Sequence, residues 1–242
     1  MRSLVDLFPC SFSYFFRRLR FRITQRKLFL KFQKLRKGIN DEGYTLQPFD
    51  EHECIFIHIP KCAGQSVRAS LFENLLPGHI NVYTYQMVFN KDEFDRYFKF
   101  TVVRNPWDRL VSAYVFLKNG GAHEKDRKWS ENHLSDYQNF EMFVEEGLHR
   151  KEILAYPHFR PQVKYLLGQQ GKLQIDFLGR LENIQEDFFY ITKKIGLNRE
   201  LVHINKTETK RRDYQSYYTE QSIEIVANIY KSDIDAFNYD FH

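Results

Sequence analysis

The stretch Cys54–Phe72, CIFIHIPKCAGQSVRASLF, constrains the fold of this chain more than any other. Cys54-Ile55-Phe56-Ile57-His58-Ile59 is a β-branched and aromatic run of the kind that forms a buried strand, and Pro60 closes it. The small-residue loop Lys61-Cys62-Ala63-Gly64-Gln65-Ser66 follows, and Val67, Leu71 and Leu75 behind it have helical spacing. A strand that turns through such a loop into a helix aims unsatisfied backbone N–H groups, and the positive end of the helix dipole, at whatever occupies the loop. Lys61 adds a full charge at the mouth. The expectation is an anion cradle for a phosphate or sulfate group, and the plain alternative is an ordinary connection with an exposed lysine. The loop is not of Walker A type, because the lysine precedes the glycine and the Gly-x4-Gly-Lys-Ser/Thr spacing is absent.

A second stretch, FKFTVVRNPWDRLVSAY from Phe98 to Tyr114, repeats the strand-to-helix pattern. Phe98–Val103 predicts a buried strand; Asn105 suits the N-cap and Pro106 the first helical position, where a missing N–H costs nothing. Arg104 then stands at the carboxyl end of a strand, the edge at which open parallel sheets bind ligands. Its guanidinium suits a phosphate, and Ser112 lies about two helical turns farther on. The plain alternatives are an Arg104–Asp108 ion pair and a small residue at a helix contact.

The rest of the chain offers weaker signals. His79–Tyr83 reads as a short strand or extended lead-in, Lys91–Tyr97 as a helix, and 119–139 as a surface loop or short helices. Pro157-His158-Phe159-Arg160-Pro161-Gln162 is a proline-bracketed turn. Leu173–Leu178 predicts a third strand and Ile184–Ile195 a helix. A basic loop holds Lys210, Arg211 and Arg212, and the last helix begins at Thr219 as N-cap.

Length allows one sizeable core, and three cysteines with no metal-ligand or disulfide spacing point to a reducing compartment. No metal site is expected. No run of about 18 apolar residues and no clean signal core occurs, so the expectation is a cytoplasmic protein, attached at most peripherally to a membrane. The net charge of +5 is unevenly held. Residues 1–37 carry eleven Lys or Arg against one acid, Asp6, a net +10, which leaves −5 on the remainder. Such a segment suits an anionic membrane surface; binding to a polyanion, or packing on the domain with its charges in water, are the alternatives. No nucleic-acid partner is expected. Residues 38–50 read as a linker.

The motifs IFIHIPKCAGQS, FTVVRNPWDRLVSAY, HFRPQ, DFLGRLENIQEDF, HINKT and YYTEQSIEIVANIYKSDIDAFNY, in this order, resemble those of the carbohydrate-type sulfotransferases, family 2, which include chondroitin 4-O- and heparan 2-O-sulfotransferases and bacterial relatives. The resemblance implies a P-loop-like α/β fold with a central parallel sheet flanked by helices, in a single domain over residues 46–242 behind a basic amphipathic segment and linker at 1–45. It implies 3′-phosphoadenosine 5′-phosphosulfate (PAPS) as co-substrate and an acceptor hydroxyl, on a carbohydrate by analogy. The 5′-phosphosulfate maps onto Lys61, Cys62, Ala63, Gly64, Gln65 and Ser66, and the 3′-phosphate onto Arg104 and Ser112. The adenosine end maps onto Arg211, Arg212 and Tyr217. Gln65 departs from the Thr or small residue common in relatives. Lys61 is the expected stabiliser of the leaving oxygen, and His158 the first candidate base, then His79, then Glu182. The competing readings are a P-loop kinase, against which the missing Walker Ser/Thr argues, and a non-catalytic polyanion- or membrane-binding module.

Overall fold

The computed structural model describes residues 10–202 and 213–242, which divide into two compact units. The first takes in described residues 10–59, 64–102 and 165–202; the second takes in 60–63, 103–164 and 213–242.

The first unit holds a three-stranded parallel sheet flanked by helices, in the order β1 (Cys54–Ile57), β2 (Phe98–Val103), β3 (Phe177–Arg180). β1 and β2 run in register from Cys54 opposite Phe98 to Ile57 opposite Thr101. Every β1 side chain is buried, as a strand covered on both faces requires. Phe56 and Phe100, paired in that register, stack at 5.2 Å, and the Thr101 hydroxyl donates to the Ile57 carbonyl at 2.7 Å. The buried Lys99 ammonium is fully engaged, donating to the carbonyls of Phe94 and Tyr97 and pairing with Asp176 at 2.9 Å.

Helices Cys10–Thr24 and Arg26–Leu35 belong to this unit, and their polar side chains close the end of the helix Val82–Val88. The last carbonyls of a helix have no partner within it. Here Tyr14 donates to Gln86 O, Arg18 to Met87 O and Val88 O, and Gln33 to Val88 O at 2.8 Å. Arg36 forks onto Asp50, pairs with Glu93 and lies over the Phe89 ring.

Two expectations that the sequence left open resolve here, and one shifts. His79–Tyr83 gives no strand, because Asn81 caps a helix, its side chain accepting from the Thr84 N–H. The third strand is Phe177–Arg180, later than Leu173–Leu178. Within 119–139 lies the helix Glu124–His133.

In the second unit, helix Pro106–Lys118 packs Leu110, Tyr114 and Leu117 with Phe143, Phe159, Val226 and Tyr230 in one buried cluster. Asn105 caps it, accepting from the Trp107 N–H at 3.0 Å, with Pro106 at the first helical position. Thr219 caps Glu220–Ile229, and the chain bends at Tyr230 into Lys231–Phe237. The segment 203–212, with Arg211, Arg212 and the HINKT motif, lies outside the described residues.

Candidate functional site

Two residues of the loop Pro60–Ala63 are left-handed without being glycine: Lys61 has φ of 68° and Ala63 of 55°. Each such residue costs about 1 kcal/mol or more and persists only where surrounding structure imposes it. Left-handed residues among right-handed ones turn successive N–H groups into a concavity suited to an anion. The chain then enters the helix Gly64–Leu71. Gly64 is required by a close approach, since a Cβ there would lie 1.8 Å from Cδ2 of His58. The His58 ring stacks on Phe56 and meets His79 edge-on at 4.6 Å. His79 Nδ1 lies 3.2 Å from the His58 carbonyl oxygen, a donation that leaves Nε2 as its basic nitrogen.

Arg104, 4% exposed, is held at two of its three guanidinium nitrogens. Nε donates to Asp108 at 2.6 Å and Nη1 to the Lys61 carbonyl at 2.9 Å. Nη2 is buried and has no hydrogen-bond partner among the described residues. The ion pair with Asp108 therefore exists, and it orients the guanidinium while one N–H edge stays available. Asp108, Ser112 and Phe116 recur every four residues and share one face of Pro106–Lys118.

Phe116 joins that face to Lys61, whose Nζ lies 3.9 Å from the ring centroid, a cation–π contact. The other partner of Phe116 is His158, stacked at 5.1 Å, and His158 in turn stacks on Tyr156. Burial, reinforced by the positive charge of Arg104, lowers the Lys61 ammonium to about 8. The Tyr156 hydroxyl donates to Asp126 at 2.5 Å. Partial burial works against the Asp126 carboxylate, but the Tyr156 hydroxyl, the Ala122 amide and the charge of His158 outweigh it and hold the group below the usual range.

Of the residues singled out by sequence, Lys61, Cys62, Ala63, Arg104, Ser112, His158 and Tyr217 fall in the second unit, and Gly64, Gln65, Ser66, His79 and Glu182 in the first. Lys61, Arg104 and His158 are linked within one unit by the contacts above. Gln65 is exposed and Ser66 buried; Glu182 is exposed on a short turn. Tyr217 packs edge-on against Phe140. Sequence reading passed over Phe116, Arg109, Asp126 and Asp233. The four-residue interval from Ser112 was the one signal available for Phe116.

The sequence profile of the sulfotransferase family matches residues 46–240. An uncharacterized protein of Archaeoglobus fulgidus is 33% identical over 116 residues, 48% of this chain and 82% of its own length. Carbohydrate sulfotransferase 14 of Danio rerio is 27% identical over 180 residues, 61% of this chain, which spans only 47% of the zebrafish protein. No solved structure matches significantly. A profile match across most of the chain, over residues that include both strand-to-helix motifs, makes this protein a member of the sulfotransferase family, enzymes of sulfuryl transfer.

Proposed function

We propose that the chain transfers a sulfuryl group from PAPS to an acceptor hydroxyl, on a carbohydrate, by in-line displacement. The observation that carries this reading is Arg104 Nη2, a buried cationic donor without a partner among the described residues. An unsatisfied buried donor costs about 1–3 kcal/mol, more when charged, and an anion such as a 3′-phosphate relieves it. Ser112, on the same helix face, is the second 3′-phosphate residue. Lys61, Cys62 and Ala63, with Gly64, Gln65 and Ser66 at the helix start, take the 5′ side, and Arg211, Arg212 and Tyr217 the adenosine end. When bound, PAPS supplies the sulfuryl group and the phosphate that departs. Lys61 balances the charge on the leaving oxygen. A sulfuryl group carries one negative charge where a phosphoryl group carries two, so a lysine and helix amides suit it. His158 takes the acceptor proton, ahead of His79, because it shares the Phe116 ring with Lys61. The carbohydrate acceptor rests on the zebrafish relative.

Thermal shift with adenosine 3′,5′-bisphosphate and with Mg-ATP tests the donor. Stabilisation at lower concentrations of the bisphosphate is expected; the opposite order supports a kinase. Labelled PAPS with panels of glycans and lipid extracts identifies the acceptor.

Residues 1–45 are the attachment segment in this reading, and 46–242 carry the chemistry. On Cys10–Thr24, Phe15, Phe16, Leu19 and Ile23 lie within about 100° of arc and are exposed, Phe15 by 61% and Ile23 by 69%. Arg20 and Arg22 border that stripe, and Tyr14, Arg18 and Phe21 face the unit's interior. An apolar stripe edged by arginines matches an anionic membrane surface.

A further inference from the structure

Gln162 is fully buried, and its side-chain amide reaches both the donor loop and Arg104. Oε1 accepts the Arg104 N–H at 3.1 Å and the Cys62 S–H at 3.2 Å, and Nε2 donates to the Arg104 carbonyl at 2.8 Å. One side chain thus makes a paired hydrogen bond with the backbone of Arg104 while it takes the thiol of the residue after Lys61. The backbone of Gln162 is fixed in turn by Asp233, which is fully buried. Its carboxylate accepts the Gln162 N–H at 2.7 Å and the Val163 N–H at 2.9 Å. Tyr230 donates to Phe159 O at 2.6 Å and ties the same turn to the C-terminal helices. A second brace runs beside the first: Arg109, 2% exposed, donates from Nε to Pro60 O at 2.9 Å and from Nη1 to Arg160 O at 3.1 Å.

These bonds tie the His158–Gln162 turn to the loop at Pro60–Cys62 on one side and to Arg104 on the other. All their members lie in one compact unit. We propose that Gln162 is a positioning residue that sets the spacing between the Lys61–Cys62 loop and Arg104, and thereby the match of the site to a ligand with phosphates at both ends. This rests on the two-phosphate reading above. A ligand with only a 5′-phosphate needs no such match, so the residue acts on the ratio of two affinities.

The test is calorimetry on the full chain with adenosine 3′,5′-bisphosphate and with 5′-AMP. Gln162→Asn keeps the amide but withdraws it by one methylene. It is expected to weaken the bisphosphate about tenfold and AMP less than about threefold, with no further loss of the bisphosphate when Arg104→Ala is already present. Equal losses for both ligands, or losses that multiply in the double variant, overturn the proposal. Should Gln162→Asn not fold, Gln162→Met is read by the same ratio, since it keeps the length of the side chain and removes the paired hydrogen bonds to Arg104 without adding charge. A wild-type chain that binds the two ligands equally overturns the two-phosphate reading itself, and that result is seen before any variant is compared.

Discussion

Lys61 sits under burial, a neighbouring arginine and an aromatic ring at once, and its proton is loosened accordingly, to about 8 against an ordinary 10.5. Two signs follow. Between those values the unfolded chain binds the proton more tightly than the folded one, so this residue makes stability rise with pH across that window. Anion binding runs the other way, because only the protonated amine attracts it. Bisphosphate affinity is expected to fall as pH rises from 7 to 9 in the wild type, and to stay nearly flat in Lys61→Arg, whose guanidinium keeps its charge. Titration calorimetry across that range checks it, and an equal slope in both proteins removes Lys61 from the anion's surroundings. The positions of Lys61 and Arg104 in their motifs were legible in the sequence. The left-handed backbone at Lys61 and Ala63 was not, since neither residue type favours it.

At the scale of elements, local chemistry was legible wherever a cap or a register decides the outcome. The Asn105–Pro106 start, the Thr219 cap and strands β1 and β2 stand close to where the sequence put them. His79–Tyr83, open in the sequence between a short strand and an extended lead-in, is the lead-in to the helix that Asn81 caps. The His158–Gln162 turn was legible as a rigid carrier of polar groups, but not as a hub. Nothing in the sequence reports that Gln162 and Arg109 are buried or that Asp233, some 70 residues on from Gln162, holds the Gln162 backbone. The turn also carries the first candidate base. His158→Ala is expected to lower kcat for sulfuryl transfer about 100-fold or more, with donor affinity nearly unchanged, and His79→Ala to lower it far less. Full activity of His158→Ala with loss in His79→Ala would reverse the assignment.

For the molecule as a whole, the N-terminal excess of charge is partly spent inside the fold. Arg18 and Arg36 are bonded to carbonyls and carboxylates, and Arg20 and Arg22 beside the apolar stripe are exposed. Among the described residues no helix is long and apolar enough to cross a membrane. Sedimentation with vesicles containing phosphatidylserine is expected, weakening with salt as each contacting cation contributes about 1 kcal/mol. Phe15→Glu with Ile23→Glu is expected to abolish it and leave bisphosphate binding intact. Equal sedimentation with neutral vesicles, or none, defeats the membrane reading.

The left-handed loop has a consequence for how this chain can vary. Its conformation is held by Arg104, Arg109 and Gln162 through Lys61 O, Pro60 O and Cys62. Glycine at position 63 relieves the backbone and also frees the loop to wander. Ala63→Gly is therefore expected to raise thermal stability while weakening bisphosphate binding, a divergence that thermal shift and calorimetry read separately.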